Sequence, residues 1–131
     1  MFVDASAIVA ILDREPEAGE FAAKVGEARR VLYSPLALYE AALGLARLQK
    51  ISVRAAASKV TDLMDSADAI SVQITPEIGS LAVGAHDLFG KGRHKAKLNM
   101  GDCFAYACAR LHRVPMLCKD DAFRHTDIQI A

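Results

Sequence analysis

The sequence predicts an α/β domain built on a parallel sheet. Three observations carry that prediction. Short apolar segments, "MFVD", "VLYS", "AISVQI" and "VPMLC", alternate with longer segments of helical periodicity. The short segments hold few polar residues, as expected of strands covered on both faces by helices. The chain has 131 residues, 53% of them hydrophobic. That is enough for one core without disulfides, so residues 1–131 are read as a single domain.

Each element has a local reason. "MFVD" opens as a strand, and "ASAIVAILD" follows as a helix with Ser6 near its start. "EAGEFAAKVGEA" is a second helix with a polar face, and "VLYS" is the second strand. Ser34-Pro35 pairs an N-cap residue with a proline suited to the first turn, so "PLALYEAALGLARLQ" is a helix. In "SVRAAASKVTDLMDSA", Val53, Ala56, Ala57, Val60, Leu63 and Met64 share one face. "AISVQI" is the third strand, and Thr75-Pro76 starts a helix that runs to Phe89. Gly90 and Gly92 end it in a basic loop, after which "LNMGDCFAYACARLH" reads as the last long helix. "VPMLC" is a strand, "KDDAFRHT" a loop, and "DIQI" a short fifth strand, giving a sheet of four to five strands.

Composition excludes several classes of function. The opening residues are apolar but carry Asp4 and lack a basic leader, so they are not read as a signal peptide. No run of eighteen apolar residues free of charge occurs, so no membrane span is expected. Cys103, Cys108 and Cys118 are odd in number and form no C-x-x-C, which points to buried thiols in a cytoplasmic protein. His86, His94, His112 and His125 show no zinc spacing, and there is no phosphate-binding glycine loop or G-x-S-x-G. Net charge is zero but polarised: residues 1–90 carry a balance of minus four, residues 91–131 plus four. The densest basic patch is "KGRHKAK", Lys91 to Lys97, which on charge alone reads as a solvated loop.

Three carboxylates stand alone in apolar windows: Asp4 in "MFVDASAIVAIL", Glu40 in "PLALYEAALGLA" and Asp102 in "LNMGDCFAYACA". A buried ionised carboxylate is costly unless it is paired, hydrogen-bonded or metal-bound. Taken singly, Asp4 and Asp102 are better read as helix caps worth about 1 kcal/mol. Glu40 lies past the capping positions of a helix apolar all round, where a salt bridge to a distant arginine is the competing explanation. Position favours chemistry. Asp4 ends a strand, Asp120 and Asp121 follow another, and Asp102 starts a helix, so parallel strands would bring all of them to one edge. Carboxylates that close call for a cation, and oxygen ligands suit Mg²⁺ or Mn²⁺.

These segments, with "YEAALGL", "GKGRHKAKLNMGDCFAYACA" and "LCKDDAFRHTDI", resemble the PIN-domain endoribonucleases of the VapC toxin type. The resemblance covers nearly the whole chain, in the family's order. It implies a three-layer α/β/α sandwich and metal-dependent RNA cleavage within a toxin–antitoxin pair. It matches Asp4, Glu40 and Asp102 to the family's first three acids and Ser6 to a supporting hydroxyl. The fourth acid departs from the pattern: many relatives read K-G-x-D-F where this chain has Lys119-Asp120-Asp121-Ala122-Phe123. Asp121 is preferred for that position, with Asp120 the alternative, and Asp127 is read as structural. The resemblance also implies a small antitoxin partner and a homodimer.

The expected mechanism has Asp4 and Asp102 on the metal and Glu40 in direct or water-mediated contact. The metal would polarise the phosphate and acidify an attacking water, leaving a 5′-phosphate and a 3′-hydroxyl. The fourth acid, Asp121 or Asp120, would complete a second ion's site or orient the water. Lys91, Arg93, His94, Lys95 and Lys97 would hold RNA phosphates. The alternative is a non-catalytic module with an acidic pocket, either receiver-like or a degenerate nuclease. A receiver wants paired acids after its first strand, and here Asp4 stands alone.

Overall fold

A computed structural model describes residues 1–131. Four short strands form one sheet: β1 (Phe2–Val3), β2 (Leu32–Tyr33), β3 (Ile70–Ser71) and β4 (Met116–Leu117). The order is β3-β2-β1-β4, and every pairing is parallel. Six helices connect and cover the strands: α1 (Ala5–Leu12), α2 (Ala18–Glu27), α3 (Pro35–Gln49), α4 (Val53–Ser66), α5 (Pro76–Phe89) and α6 (Met100–His112). None is long and apolar enough to cross a membrane.

The three layers follow from strand alternation, which sends successive side chains to opposite faces. Phe2, Leu32 and Met116 pack on one side with Ile78, Ala82, Cys103 and Ala107 of α5 and α6. Their neighbours Val3, Val31 and Leu117 pack on the other side with Ile8, Phe21, Val60 and Met64 of α1, α2 and α4. Helix α3 serves both sides, with Ala37 in the first cluster and Ala41 in the second. Phe2, Val3, Met116 and Leu117 are at most 1% exposed, which is why the strand segments read as unbroken apolar runs.

Caps fix the helix starts where the sequence signals them. Ser34 accepts from Ala37 N at 3.0 Å, and Thr75 accepts from Ile78 N at 3.3 Å. Both precede a proline at the first helical position. The sheet has four strands, within the expected four to five, and the chain end adds only a single parallel bridge, Met116 to Ile130, because only Met116 exchanges backbone hydrogen bonds with it. Two expectations need correction. "KDDAFRHT" contains a 3₁₀ turn, Asp121–His125, anchored by buried Phe123. Helix α3 is not buried all round: Tyr39 is 60% and Leu48 54% exposed.

Strand order positions the site. From β1 the chain moves outward through β2 to β3, then returns to place β4 on the far side of β1. The carboxyl ends of β1 and β4 therefore flank the point where the order reverses, the place where open α/β sheets bind ligands. Asp4 follows β1 directly, and Cys118, Lys119 and Asp120 follow β4.

Candidate active site

A cleft of about 340 Å³ opens at that edge. It is lined by Asp4, Glu40, Asp102 and Asp120, with Ser6, Glu15, Asn99 and Lys119 around them. The acids come from four separated segments: the end of β1, the second turn of α3, the first turn of α6 and the turn after β4.

Asp4 is 6% exposed and caps α1. Its Oδ2 accepts from Ser6 N at 3.0 Å and from Ser6 Oγ at 2.6 Å. The Ser6 hydroxyl also accepts from Lys119 N at 3.0 Å. Burial pushes the Asp4 carboxyl above its ordinary pKa, the Ser6 hydrogen bonds oppose the shift, and the charge of Asp120 adds to it.

Asp102 is a capping residue, but not the N-cap. The helix starts earlier than "CFAYACARL", with Asn99 at the cap and Asp102 three residues on. Asp102 N donates to Asn99 Oδ1 at 2.9 Å, and Asn99 N donates to Asp102 Oδ2 at 3.0 Å. This reciprocal box leaves Asp102 Oδ1 available to the cleft. Burial raises its pKa to about 6; the bond from Asn99 lowers it, and Asp4 and Asp120 raise it.

Glu40 is half-buried and has its pKa raised to about 7, by burial first and then by Asp4 and Asp102. No arginine pairs with it, so the competing salt bridge is absent. Its carboxylate lies against the backbone of Gly101 in the first turn of α6. Three acids displaced upward thus share one cleft, a pattern enriched at functional sites.

The two acids after β4, Asp121 preferred from the sequence and Asp120 the alternative, are placed differently. Asp120 lines the cleft. Asp121 begins the 3₁₀ turn, is 84% exposed and pairs with Arg124 Nε at 3.4 Å. The turn directs successive side chains apart, so only one of the pair faces Asp4. Asp127 is structural, accepting from Tyr106 Oη at 2.6 Å and pairing with Arg110 at 3.5 Å.

The basic loop stands beside the cleft rather than in it. A bridge between Gly90 and Leu98 closes it, and Asn99 then leads into α6. Lys91, Lys95 and Lys97 are exposed, and Arg93 pairs with Asp87 at 3.3 Å. His94 also has contacts within the loop. Its Nδ1 accepts from Ala96 N at 3.0 Å and its ring packs edge-on against Phe89, so it holds the loop together.

Three cleft residues carry no role in the sequence-based expectation: Asn99, Lys119 and Glu15. Asn99 was legible as a box, since "NMGD" sets a capping residue three before an acid. Lys119 and Glu15 carried no local signal. They meet across 104 positions in an ion pair, with Glu17 3.8 Å from the same ammonium.

The donor set is oxygen only and suits a hard divalent cation. The carboxylates share one opening, but no three of them stand close enough together to form a ready-made metal cluster. Burial first, and then the neighbouring acid charges, raise the pKa values of Glu40 and Asp102. The thiols are unsuited to either metal or nucleophile: all three are buried, and burial pushes Cys118, beside the acids, up to about 12.

A family model for the PIN domain matches residues 1–129. The chain belongs to the PIN-domain family. Among curated PIN relatives, it is 38% identical over 137 residues to Ribonuclease VapC30 of Mycobacterium tuberculosis, covering 98% of this chain and 95% of that protein. A VapC ribonuclease of Rhizobium meliloti is 36% identical over 139 residues, covering 97% and 98%. Ribonuclease VapC of Mycolicibacterium smegmatis is 35% identical over 137 residues, covering 98% and 97%. The PIN fold expected from the sequence, a three-layer α/β/α sandwich on a parallel sheet, is the one observed.

Proposed function

We propose that this PIN protein is a VapC-type endoribonuclease, the toxin of a toxin–antitoxin pair, working with Mg²⁺ or Mn²⁺ in the cytoplasm. The observation that carries the reading is the shared cleft of Asp4, Glu40, Asp102 and Asp120 at the β1/β4 edge. Full-length similarity to proteins named ribonucleases supports RNA as the substrate.

When bound, a divalent cation supplies Lewis-acid polarisation of the scissile phosphate and a more acidic water. Asp4 and Asp102 would hold it, with Glu40 in direct or water-mediated contact. Ser6 keeps Asp4 oriented by two hydrogen bonds. Asp120, at the cleft rim, would orient the attacking water or complete the site of a second cation. Attack at phosphorus breaks the P–O3′ bond and leaves a 5′-phosphate and a 3′-hydroxyl. Lys91, Arg93, Lys95 and Lys97 bind flanking phosphates, which gives affinity without sequence choice.

The partners are RNA, a small antitoxin protein and a second copy of the chain. Exposed Tyr39, Val83 and Met100, on α3, α5 and α6, supply apolar surface for the two protein partners. A receiver-like role fits less well, because Asp4 is 6% exposed and already accepts twice from Ser6.

The test is cleavage of end-labelled RNA by the purified protein with Mg²⁺ or Mn²⁺, with EDTA, and with Asp102→Asn. Cleavage that needs the ion and is lost in Asp102→Asn is expected. Equal cleavage by the variant, or full activity in EDTA, would overturn the reading.

A further inference from the structure

We infer that Gly101 is a positioning residue: its lack of a side chain seats the Glu40 carboxylate against the first turn of α6, beside Asp102. The inference rests on the metal-dependent reading of the cleft, but its geometry stands apart from that reading. A Cβ built on Gly101 would lie 2.5 Å from Glu40 Cδ and nearer still to both carboxylate oxygens. Real Cβ atoms do not come that close, so any other residue at 101 expels the carboxylate from this seat.

Backbone freedom is not the reason for a glycine here. Gly101 is the second residue of a regular helix and lies outside the positive-φ region. Glycine in that setting weakens a helix relative to alanine. A residue that is unfavourable for the helix yet required for a close approach is explained by what approaches it. Other helical glycines of the chain meet no such neighbour: a Cβ at Gly84 in α5 finds nothing within 4 Å.

The seat also accounts for how two distant helices present acids to one opening. Glu40 projects from the second turn of α3, and Asp102 is fixed in the Asn99 box of α6. Gly101 lies between them, immediately before Asp102. Where α3 and α6 meet, the missing side chain leaves room for a carboxylate rather than a methyl group. The atom in the way is the far end of a flexible side chain, so Gly101→Ala is expected to fold and to move Glu40.

The test compares the parent with Gly101→Ala, Gly84→Ala, Glu40→Asp and the double variant Gly101→Ala/Glu40→Asp. The first readout needs no cation: the side-chain carboxyl ¹³C resonance of Glu40, identified by its loss in Glu40→Gln. It should move in Gly101→Ala and stay in Gly84→Ala. The second is calorimetric Mn²⁺ affinity, expected to fall about 10- to 100-fold in Gly101→Ala, the usual effect of disturbing groups that support a metal site. The melting temperature should be unchanged or higher. In the double variant the shorter carboxylate withdraws from the new methyl, so Mn²⁺ affinity should recover part of the loss.

An unmoved Glu40 resonance in Gly101→Ala overturns the inference. So does a lowered melting temperature with no recovery in the double variant, which would make Gly101 a packing residue. A resonance that moves in Gly101→Ala, together with a parent protein that binds no Mn²⁺, supports the seat and overturns the metal reading instead.

Discussion

The Ser6 hydroxyl accepts the backbone N–H of Lys119 at 3.0 Å while donating to Asp4 Oδ2 at 2.6 Å. One side-chain oxygen thus ties the carboxyl ends of β1 and β4 together across the point where strand order reverses. Ser6→Ala leaves a buried carboxylate oxygen with one donor fewer and frees the Lys119 amide. Loss of a hydrogen bond to a charged group costs about 1.5 to 3 kcal/mol, so a stability loss near the lower figure is expected in urea melts. Cleavage should fall as well, because Asp4 loses its orientation. A variant as stable and as active as the parent would remove Ser6 from the site.

The acids of the cleft oppose folding at neutral pH. Glu40 titrates at about 7 in the fold, against an ordinary value of 4.5. Between those values the folded chain holds a proton that the unfolded chain has released. Stability therefore declines as pH rises through that window, and the full penalty is present above pH 7. Glu40→Gln should raise the stability of the cation-free protein at pH 8 by about 1 to 2 kcal/mol after solvent screening. The gain should disappear at pH 4. Thermal melts of both proteins at the two pH values check the sign: a loss at pH 8 would contradict the raised pKa. A gain in stability with a loss of cleavage is the trade-off expected of an active-site acid.

The same protons compete with a cation. Asp102 titrates at about 6 and Glu40 at about 7, and both must be ionised to bind a divalent ion. Mn²⁺ affinity should rise between pH 5.5 and pH 8, with protons released on binding and fewer released at the higher pH. Calorimetry in two buffers of different ionisation enthalpy counts those protons. Affinity flat across the range would place the cation away from these two acids.

Asp120 and Asp121 are adjacent and opposite in consequence. Asp120 faces Asp4 across the cleft, whereas Asp121 is 84% exposed and pairs with Arg124. Asp120→Asn should lower cleavage by about two to four orders of magnitude, the usual contribution of one proton-transfer group. Asp121→Asn should leave it within about twofold, since an exposed ion pair contributes little. The reverse ranking would restore the preference that family alignment alone suggests.

That pair shows where the sequence stops being legible. The layered fold could be read because β1 and β4 are buried on both faces, so Phe2-Val3 and Met116-Leu117 are apolar at every position. The edge strand β3 is exposed, with Ile70 53% accessible. The acids could be read because Asp4, Glu40 and Asp102 stand alone in apolar windows. Asp120 and Asp121 share one local composition, and only the 3₁₀ turn at Asp121 decides which side chain faces the cleft. The Lys119–Glu15 pair joins segments far apart in the chain, and neither end announces the other. The role of Gly101 was hidden for the same reason: a glycine before an acid looks like a turn residue until Glu40 is seen against it.

The basic loop should divide by role, not by charge. Lys91, Lys95 and Lys97 are exposed, Arg93 is engaged with Asp87, and His94 binds the loop to itself. Each lysine that meets a phosphate adds about 0.7 to the slope of log affinity against log salt for single-stranded RNA. Lys95→Ala and Lys97→Ala together should therefore weaken RNA binding most at low salt and flatten the slope by about 1.4. His94→Ala should act differently. It removes the acceptor for Ala96 N and the edge contact with Phe89, so it should lower the melting temperature while leaving the slope unchanged. Filter binding with Asp102→Asn as the background keeps the RNA intact across the salt series. A slope that falls for His94→Ala and holds for the lysine pair would reverse these assignments.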